Sequence, residues 1–127
     1  MYKRLIFFFL LIIVFINTAF MQTKSYRYLA LGDSYTIGEG VALNKNFPNQ
    51  TVALLRKEKI SIEDPAIIAK TGWTTDDLQE MLNRTRLQVP FDIVTLLIGV
   101  NNQYRGRSTD EYAVQFTQLL QQAIGYT

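Results

Sequence analysis

A serine lies in a glycine-flanked segment that could hold a nucleophile. Residues 32–38 read Gly-Asp-Ser-Tyr-Thr-Ile-Gly and follow a short apolar run. A serine just past a strand end points its Oγ into a crevice and keeps its own backbone N–H free, and both features suit a nucleophile. The alternative is a turn in which Asp33 and Ser34 only satisfy nearby backbone groups. A phosphate-cradling loop is disfavoured because the Gly-x-x-x-x-Gly-Lys-Ser/Thr pattern is absent.

Two later segments could supply hydrogen-bond donors to a developing oxyanion. Gly72 precedes a predicted helix, where its backbone N–H could donate to negative charge. Asn101 follows the most apolar stretch of the chain and could aim its side-chain amide at the same crevice, while Asn102 could fix the segment by bonding backbone. Taken alone, Gly72 is explained equally well by a tight turn, and the two asparagines by turn formation.

Three apolar stretches predict the strands that must position these residues. They cover residues 28–31, 65–69 and 93–98, and each runs directly into one of the three segments. The third stretch is apolar or β-branched without alternation, which predicts a central strand of a parallel sheet covered on both faces.

Residues typical of helix N-termini follow each of these predicted strands. A helix is predicted to begin near Phe47, because proline follows it and is tolerated in a first turn. Thr74 with Asp77 and Ser108 with Glu111 each resemble a capping box. The resulting β-α-β-α-β-α order predicts a three-layer α/β/α sandwich with a parallel sheet. Ligands bind outside the carboxyl ends of such strands, so the three segments should meet at one edge of the sheet.

In this order and spacing, the three segments resemble the first three sequence blocks of the GDSL/SGNH hydrolase superfamily. Residues 32–38 resemble its nucleophile block, and Gly72 falls where the family has its oxyanion glycine. Residues 99–102, Gly-Val-Asn-Asn, resemble its Gly-x-Asn-Asp block, with Asn102 replacing the aspartate. The resemblance covers nearly all of residues 26–127 and implies the flavodoxin-like SGNH hydrolase fold, of which this chain holds the first β-α-β-α-β-α part.

The resemblance also implies a reaction. Ser34 would attack a carboxylic ester and form an acyl-enzyme, while the backbone N–H groups of Ser34 and Gly72 and the Asn101 side chain would hold the oxyanion. Asp33 and Asn102 would support these groups, and no cofactor would be needed. The implied substrate is a small-molecule or glycan ester, as for an esterase, a lipase or a carbohydrate deacetylase. Acyl transfer to a sugar hydroxyl would share the acyl-enzyme step, so the sequence leaves it open.

The chain contains no histidine. The family takes its base from an Asp-x-x-His block near its C-terminus, and a serine hydroxyl is a weak nucleophile without an adjacent base. We therefore expect a chain truncated before that block and inactive alone. The alternative is a non-catalytic or vestigial binding module on the same fold.

The N-terminal segment resembles a targeting signal. Lys3 and Arg4 precede an apolar run over residues 5–16, which is too short for a comfortable transmembrane span. We expect a bacterial-type signal over residues 1–22 and the incomplete hydrolase domain over residues 23–127, in an exported protein located in the periplasm or outside the cell. An uncleaved signal anchor is the alternative, and it would provide the protein's membrane contact.

The amino-acid composition argues against several classes of function and site. A hydrophobic content of 48% and a charged content of 19% are ordinary for a globular protein. The net charge is +2, and without Lys3 and Arg4 it falls to zero, so no electrostatic argument favours a nucleic-acid partner. The chain has no cysteine, which excludes disulfides and a lipoprotein anchor. Since histidine is also absent and the acidic residues are scattered, we expect no metal site.

Overall fold

Three short strands form the sheet from which the predicted site segments leave. The computed structural model describes residues 24–127, with β1 at Tyr28–Gly32, β2 at Ala66–Ala69 and β3 at Ile93–Leu97. The strands are parallel and lie in the order β2-β1-β3. Gly32 pairs with Ala69 on one side and with Leu97 on the other, so the three carboxyl ends are level.

The central strand of the described sheet is β1. Every residue of β1 is buried, whereas the residues of β3 are half-buried and Leu97 is 45% exposed. Within residues 24–127, β3 pairs with β1 alone, so the prediction of a central strand over residues 93–98 is wrong for this part of the chain. An unbroken apolar run reports coverage of the two faces of a strand, and it carries no information about the number of strand neighbours.

Helices cover both faces of the sheet. The helices are α1 (Ser34–Ile37), α2 (Phe47–Lys57), α3 (Thr75–Arg84), α4 (Val100–Tyr104) and α5 (Thr109–Ile124), with a 3₁₀ turn at Leu43–Lys45. Val52 of α2 belongs to a core cluster with Tyr28 and Ala30. Leu78 of α3 and Leu119 of α5 belong to a second cluster with Leu29 and Leu31. Since alternate residues of β1 face opposite sides, the α/β/α layering is confirmed.

Side-chain caps fix where α2 and α3 begin. Asn46 Oδ1 accepts a hydrogen bond from the Asn49 N–H at 3.0 Å, and Pro48 lies in the first turn of α2. Asp77 Oδ2 accepts from the Thr74 N–H at 2.9 Å, which is the reciprocal half of the predicted capping box. Such caps satisfy backbone N–H groups that have no partner inside the helix.

The cap of α5 is simpler than the sequence predicts. Ser108 Oγ accepts from the Asp110 N–H at 3.2 Å, so Ser108 caps the helix. The return bond expected from Glu111 is not among the hydrogen bonds of residues 24–127, since Glu111 Oε1 accepts from Gln115 Nε2 at 2.9 Å. The second capping box is therefore half formed, because a partner one helical turn further on holds the glutamate.

The predicted export signal over residues 1–22 lies outside the described residues. In the part of the chain that is described, no helix combines the length and the apolar character needed to cross a membrane. Export of the protein therefore stays a prediction.

Candidate active site

Ser34 is the first residue of α1, a single helical turn directly after β1. Asp33 caps this turn, because its Oδ1 accepts a hydrogen bond from the Tyr35 N–H at 3.0 Å. Gly38 ends the turn with a φ of +74°, a conformation that favours glycine. The segment is therefore a capped helical turn between two glycines.

The Ser34 hydroxyl and backbone N–H are both available. The residue is half-buried, and its carbonyl accepts from the N–H groups of Gly38 and Glu39. Among the hydrogen bonds of residues 24–127, none uses the Ser34 Oγ or the Ser34 N–H. An N–H in the first turn of a helix has no intrahelical partner, so it can donate to a ligand.

Gly32 allows α1 to fold back against the end of the sheet. A Cβ at this position would overlap with the Thr36 side chain and the Leu97 carbonyl oxygen. Thr36 is fully buried, and its Oγ1 has no hydrogen-bond partner within the described part of the chain. The close approach therefore requires glycine at residue 32.

Asp33 is 1% exposed, which affects its ionisation. Burial raises the pKa of the Asp33 carboxyl above its ordinary value, and the hydrogen bond from the Tyr35 N–H opposes that rise. Its capping contact makes Asp33 a structural support for the turn that begins with Ser34. Its contribution to any reaction stays a prediction.

Gly72 occupies the third position of a hydrogen-bonded turn. The Trp73 N–H donates to the Lys70 carbonyl at 3.2 Å, and Gly72 has a φ of +80°. Thr71 is not among the described residues with positive φ, so this is a type II turn, which requires glycine at its third position. None of the hydrogen bonds within residues 24–127 uses the Gly72 N–H.

Asn101 lies in the short helix α4, where the sequence alone is equally compatible with a turn. Gly99, with a φ of +132°, allows the chain to pass from β3 into a helix at once. Asn101 Nδ2 donates to the Trp73 carbonyl at 2.8 Å. An amide nitrogen carries two hydrogens, so this contact orients the side chain and leaves one hydrogen for another acceptor.

Hydrogen bonds join the three segments. Thr71 Oγ1 bonds to Glu39 Oε2 and so connects the first segment with the second. Asn101 connects the second with the third, as does Arg105, whose Nη2 donates to the Gly72 carbonyl at 2.7 Å. The sequence carries no signal of the Arg105 contact, because nothing in its local spacing distinguishes it from a solvated arginine.

Asn102 is buried and makes two bonds to Thr75. Its Oδ1 accepts from the Thr75 N–H at 3.1 Å, and its Nδ2 donates to Thr75 Oγ1 at 2.6 Å. The Thr75 hydroxyl hydrogen is then directed to Gln115 Oε1, and Gln115 Nε2 donates to Glu111. Asparagine fits this chain of bonds because one side chain supplies both an acceptor and a donor.

We expect Asn102→Asp to destabilise the protein although it restores the residue found in the family block. A carboxylate cannot donate to Thr75 Oγ1, so the introduced carboxylate oxygen and Gln115 Oε1 would compete for the single hydrogen of the Thr75 hydroxyl. The expected loss is about 1–3 kcal/mol in the free energy of unfolding at neutral pH. Because burial favours the protonated acid, which can donate, the loss should shrink as the pH falls.

Urea denaturation at about pH 7.5 and about pH 5 measures this difference. Asn83→Asp is the matched control, since Asn83 is an exposed amide on α3. An Asn102→Asp loss equal to that of the control, or one that grows at the lower pH, would contradict the expected direction of the bonds.

A cavity of about 570 Å³ lies beside α4 and the start of α5. Its lining includes Ile98, Gly99, Asn102 and Tyr112, but it does not include Ser34, Gly72 or Asn101. The predicted nucleophile and donors therefore lie outside this cavity. Within residues 24–127, no group of three histidine, cysteine, aspartate or glutamate side chains could hold a metal ion.

The three candidate donors follow the same edge of the sheet. Ser34, Gly72 and Asn101 follow the level carboxyl ends of β1, β2 and β3, and each keeps one N–H that no described residue occupies. Fixed N–H donors of this kind can stabilise an oxyanion beside a hydroxyl nucleophile.

Comparison with known proteins agrees with the fold. The model of the GDSL-like Lipase/Acylhydrolase family matches residues 30–126. AlinE4, an SGNH-hydrolase family esterase, superimposes with a TM-score of 0.67 at 22% identity, over 80% of this chain and 54% of AlinE4. TesA gives 0.63 at 17% identity, over 79% and 55% of the two chains.

A further esterase has the same architecture. The psychrotrophic esterase EstA from Pseudoalteromonas sp., in a structure inhibited by monoethylphosphonate, gives a TM-score of 0.62 at 17% identity, over 80% of this chain and 55% of EstA. The chain thus spans about half the length of these solved structures. At such identities the likeness shows the fold, which is that of SGNH hydrolases. No curated protein sequence gives a significant match.

Proposed function

Because the chain belongs to the GDSL-like lipase/acylhydrolase family, we propose that its site cleaves carboxylic ester bonds with Ser34 as the nucleophile. Family membership supports ester hydrolysis in general. The observation that supports this particular site is a set of three N–H groups that follow level strand ends and have no partner among the described residues. They are the backbone N–H groups of Ser34 and Gly72 and the second N–H of the Asn101 amide, whose first N–H binds the Trp73 carbonyl.

The proposed reaction proceeds through an acyl-enzyme. The Ser34 Oγ forms a bond to the ester carbonyl carbon while its proton passes to a base, and the carbonyl oxygen becomes an oxyanion. That oxyanion accepts hydrogen bonds from the Ser34 N–H, the Gly72 N–H and Asn101 Nδ2. Its collapse expels the alcohol, which takes up a proton, and water then cleaves the Ser34 ester by the same steps.

The mechanism needs a base to accept the Ser34 proton. The 127 residues contain no histidine, so they offer no imidazole for this role. Asp33 is a poor substitute, because its carboxylate caps α1 through Tyr35. We therefore propose that the 127-residue chain by itself is nearly inactive on esters, because removal of one triad member typically leaves only about 10³–10⁴-fold catalysis over water.

A second candidate is a non-catalytic module that binds ester or acyl groups at the same place. The lack of histidine favours it, because the three N–H donors can bind a carbonyl or carboxylate oxygen without any proton transfer.

The substrate class and location remain proposals. We propose a small-molecule or glycan ester as substrate, in a protein exported through residues 1–22. Acyl transfer to a sugar hydroxyl is compatible with the same acyl-enzyme. The even balance of charge after the N-terminal segment supports neither a nucleic-acid partner nor a strongly charged substrate.

Covalent labelling tests the proposed nucleophile. We expect a fluorophosphonate to modify the full gene product once, and peptide mass spectrometry to place the adduct on Ser34. The serines at positions 25, 61 and 108 are internal controls. An adduct on one of them would contradict the assignment. A folded protein that takes up no adduct would support the binding module instead.

A further inference from the structure

One arginine from the segment after β3 binds the turn that contains Gly72. Arg105 Nη2 donates to the Gly72 carbonyl at 2.7 Å, and its Nη1 lies 3.7 Å from Asp77 Oδ2. The same carboxylate oxygen accepts from the Thr74 N–H at 2.9 Å. The guanidinium of Arg105 therefore connects the turn after β2 to the first turn of α3.

The direction of the Gly72 N–H depends on how well this turn is held. Glycine has no Cβ, so its backbone torsions are less restricted than those of any other residue. The Gly72 N–H belongs to the central peptide of the turn, between Thr71 and Gly72, so a shift of the turn changes the direction of this N–H.

Contacts on both sides of Gly72 oppose such a shift. Thr71 is tied to Glu39 through its side chain, and the Gly72 carbonyl is tied to Arg105. The next carbonyl, that of Trp73, accepts from Asn101. Two of the three contacts therefore come from the segment after β3.

We propose that Arg105 is a positioning residue that holds the Gly72 N–H in the direction an oxyanion requires. This inference rests on the proposed ester hydrolysis. Arg105 acts through Gly72 and needs no contact with the substrate. Its planar guanidinium suits this role, since Nη2 binds the Gly72 carbonyl while Nη1 faces the Asp77 carboxylate.

A contribution to overall stability does not explain the arrangement. The Arg105 side chain is 50% exposed and the ion pair with Asp77 is long, so the pair contributes little to folding. Removal of Arg105 should thus affect the turn much more than the unfolding of the whole protein.

Kinetics of the full gene product provide the first test. We expect Arg105→Ala to lower kcat by roughly 10- to 100-fold with little change in KM, because a misdirected donor costs less than a lost one. Arg105→Lys should recover part of the rate, and added guanidinium chloride at low millimolar concentration should raise the rate of Arg105→Ala alone.

Arg107→Ala is the matched control. Arg107 lies two residues away and pairs with Asp76 at 2.7 Å and with Glu111 at 3.7 Å, without contact to Gly72. It should keep the parent kcat. Equal losses in the two variants, or a loss in Arg105→Ala that appears in KM alone, would overturn the inference.

Hydrogen–deuterium exchange separates this inference from the proposed function. We expect faster exchange in the peptide covering residues 70–75 of Arg105→Ala, and parent-like exchange there in Arg107→Ala. Unchanged exchange in Arg105→Ala would overturn the inference even if the parent enzyme is active. A parent protein that takes no phosphonate at Ser34 would instead overturn the proposed function, and with it the catalytic meaning of the arginine.

Discussion

Replacement of Ser34 by alanine should lower kcat of the full gene product on a p-nitrophenyl ester by about 10⁶-fold, the size of loss seen when a triad nucleophile is removed. The reason is chemical, because the Ser34 Oγ is the atom proposed to form the acyl bond. The cap of α1 comes from Asp33, and no hydrogen bond within residues 24–127 uses the Ser34 Oγ. The substitution should therefore leave the turn intact.

Ser61→Ala is the matched control for this variant. Ser61 is exposed, and its role in the structure is a backbone contact, since its carbonyl accepts from the Tyr26 N–H at 2.8 Å. Thermal unfolding of both variants should resemble that of the parent. A Ser34→Ala protein that keeps more than a few per cent of the parent turnover would show that another residue is the nucleophile.

The strands and their order along the chain are predictable because local sequence determines them. The apolar stretches ending at Leu31, Ala69 and Ile98 match β1, β2 and β3 to within one or two residues at each end. Sheet order is a different matter, because it depends on which strands pair across the chain. The apolar run at residues 93–98 shows that helices cover β3, whereas its place beside β1 follows from tertiary contacts.

In the candidate site, too, some features are predictable from local sequence and others depend on tertiary contacts. The positions of Ser34, Gly72 and Asn101 after strand ends can be read from the sequence. The hydrogen bonds that hold them cannot be predicted in this way, since the partners lie far along the chain. Asn101 bonds to Trp73, 28 residues away, and Arg105 bonds to Gly72, 33 residues away. Spacing within one segment carries no signal of either contact.

Asn101→Ala should lower kcat by about 10²–10³-fold, the usual loss when one oxyanion donor is removed. One hydrogen of the Asn101 amide is bound by the Trp73 carbonyl, and the proposed mechanism directs the other to the oxyanion. Because the oxyanion forms only as the reaction proceeds, the loss should appear in kcat with a small change in KM. Steady-state kinetics of the full gene product measure it.

Asn101→Asp tests whether Asn101 acts as a hydrogen-bond donor or only fills space. Aspartate keeps the size of the side chain, but its carboxylate has no hydrogen to donate and would repel the developing negative charge. We expect it to be at least as slow as Asn101→Ala. Gln103→Ala, at an exposed amide two residues further along α4, should keep the parent rate. Parent-like turnover by Asn101→Asp would show that the Asn101 amide gives no hydrogen bond to the transition state, and the site would then have only the Ser34 and Gly72 N–H groups as donors.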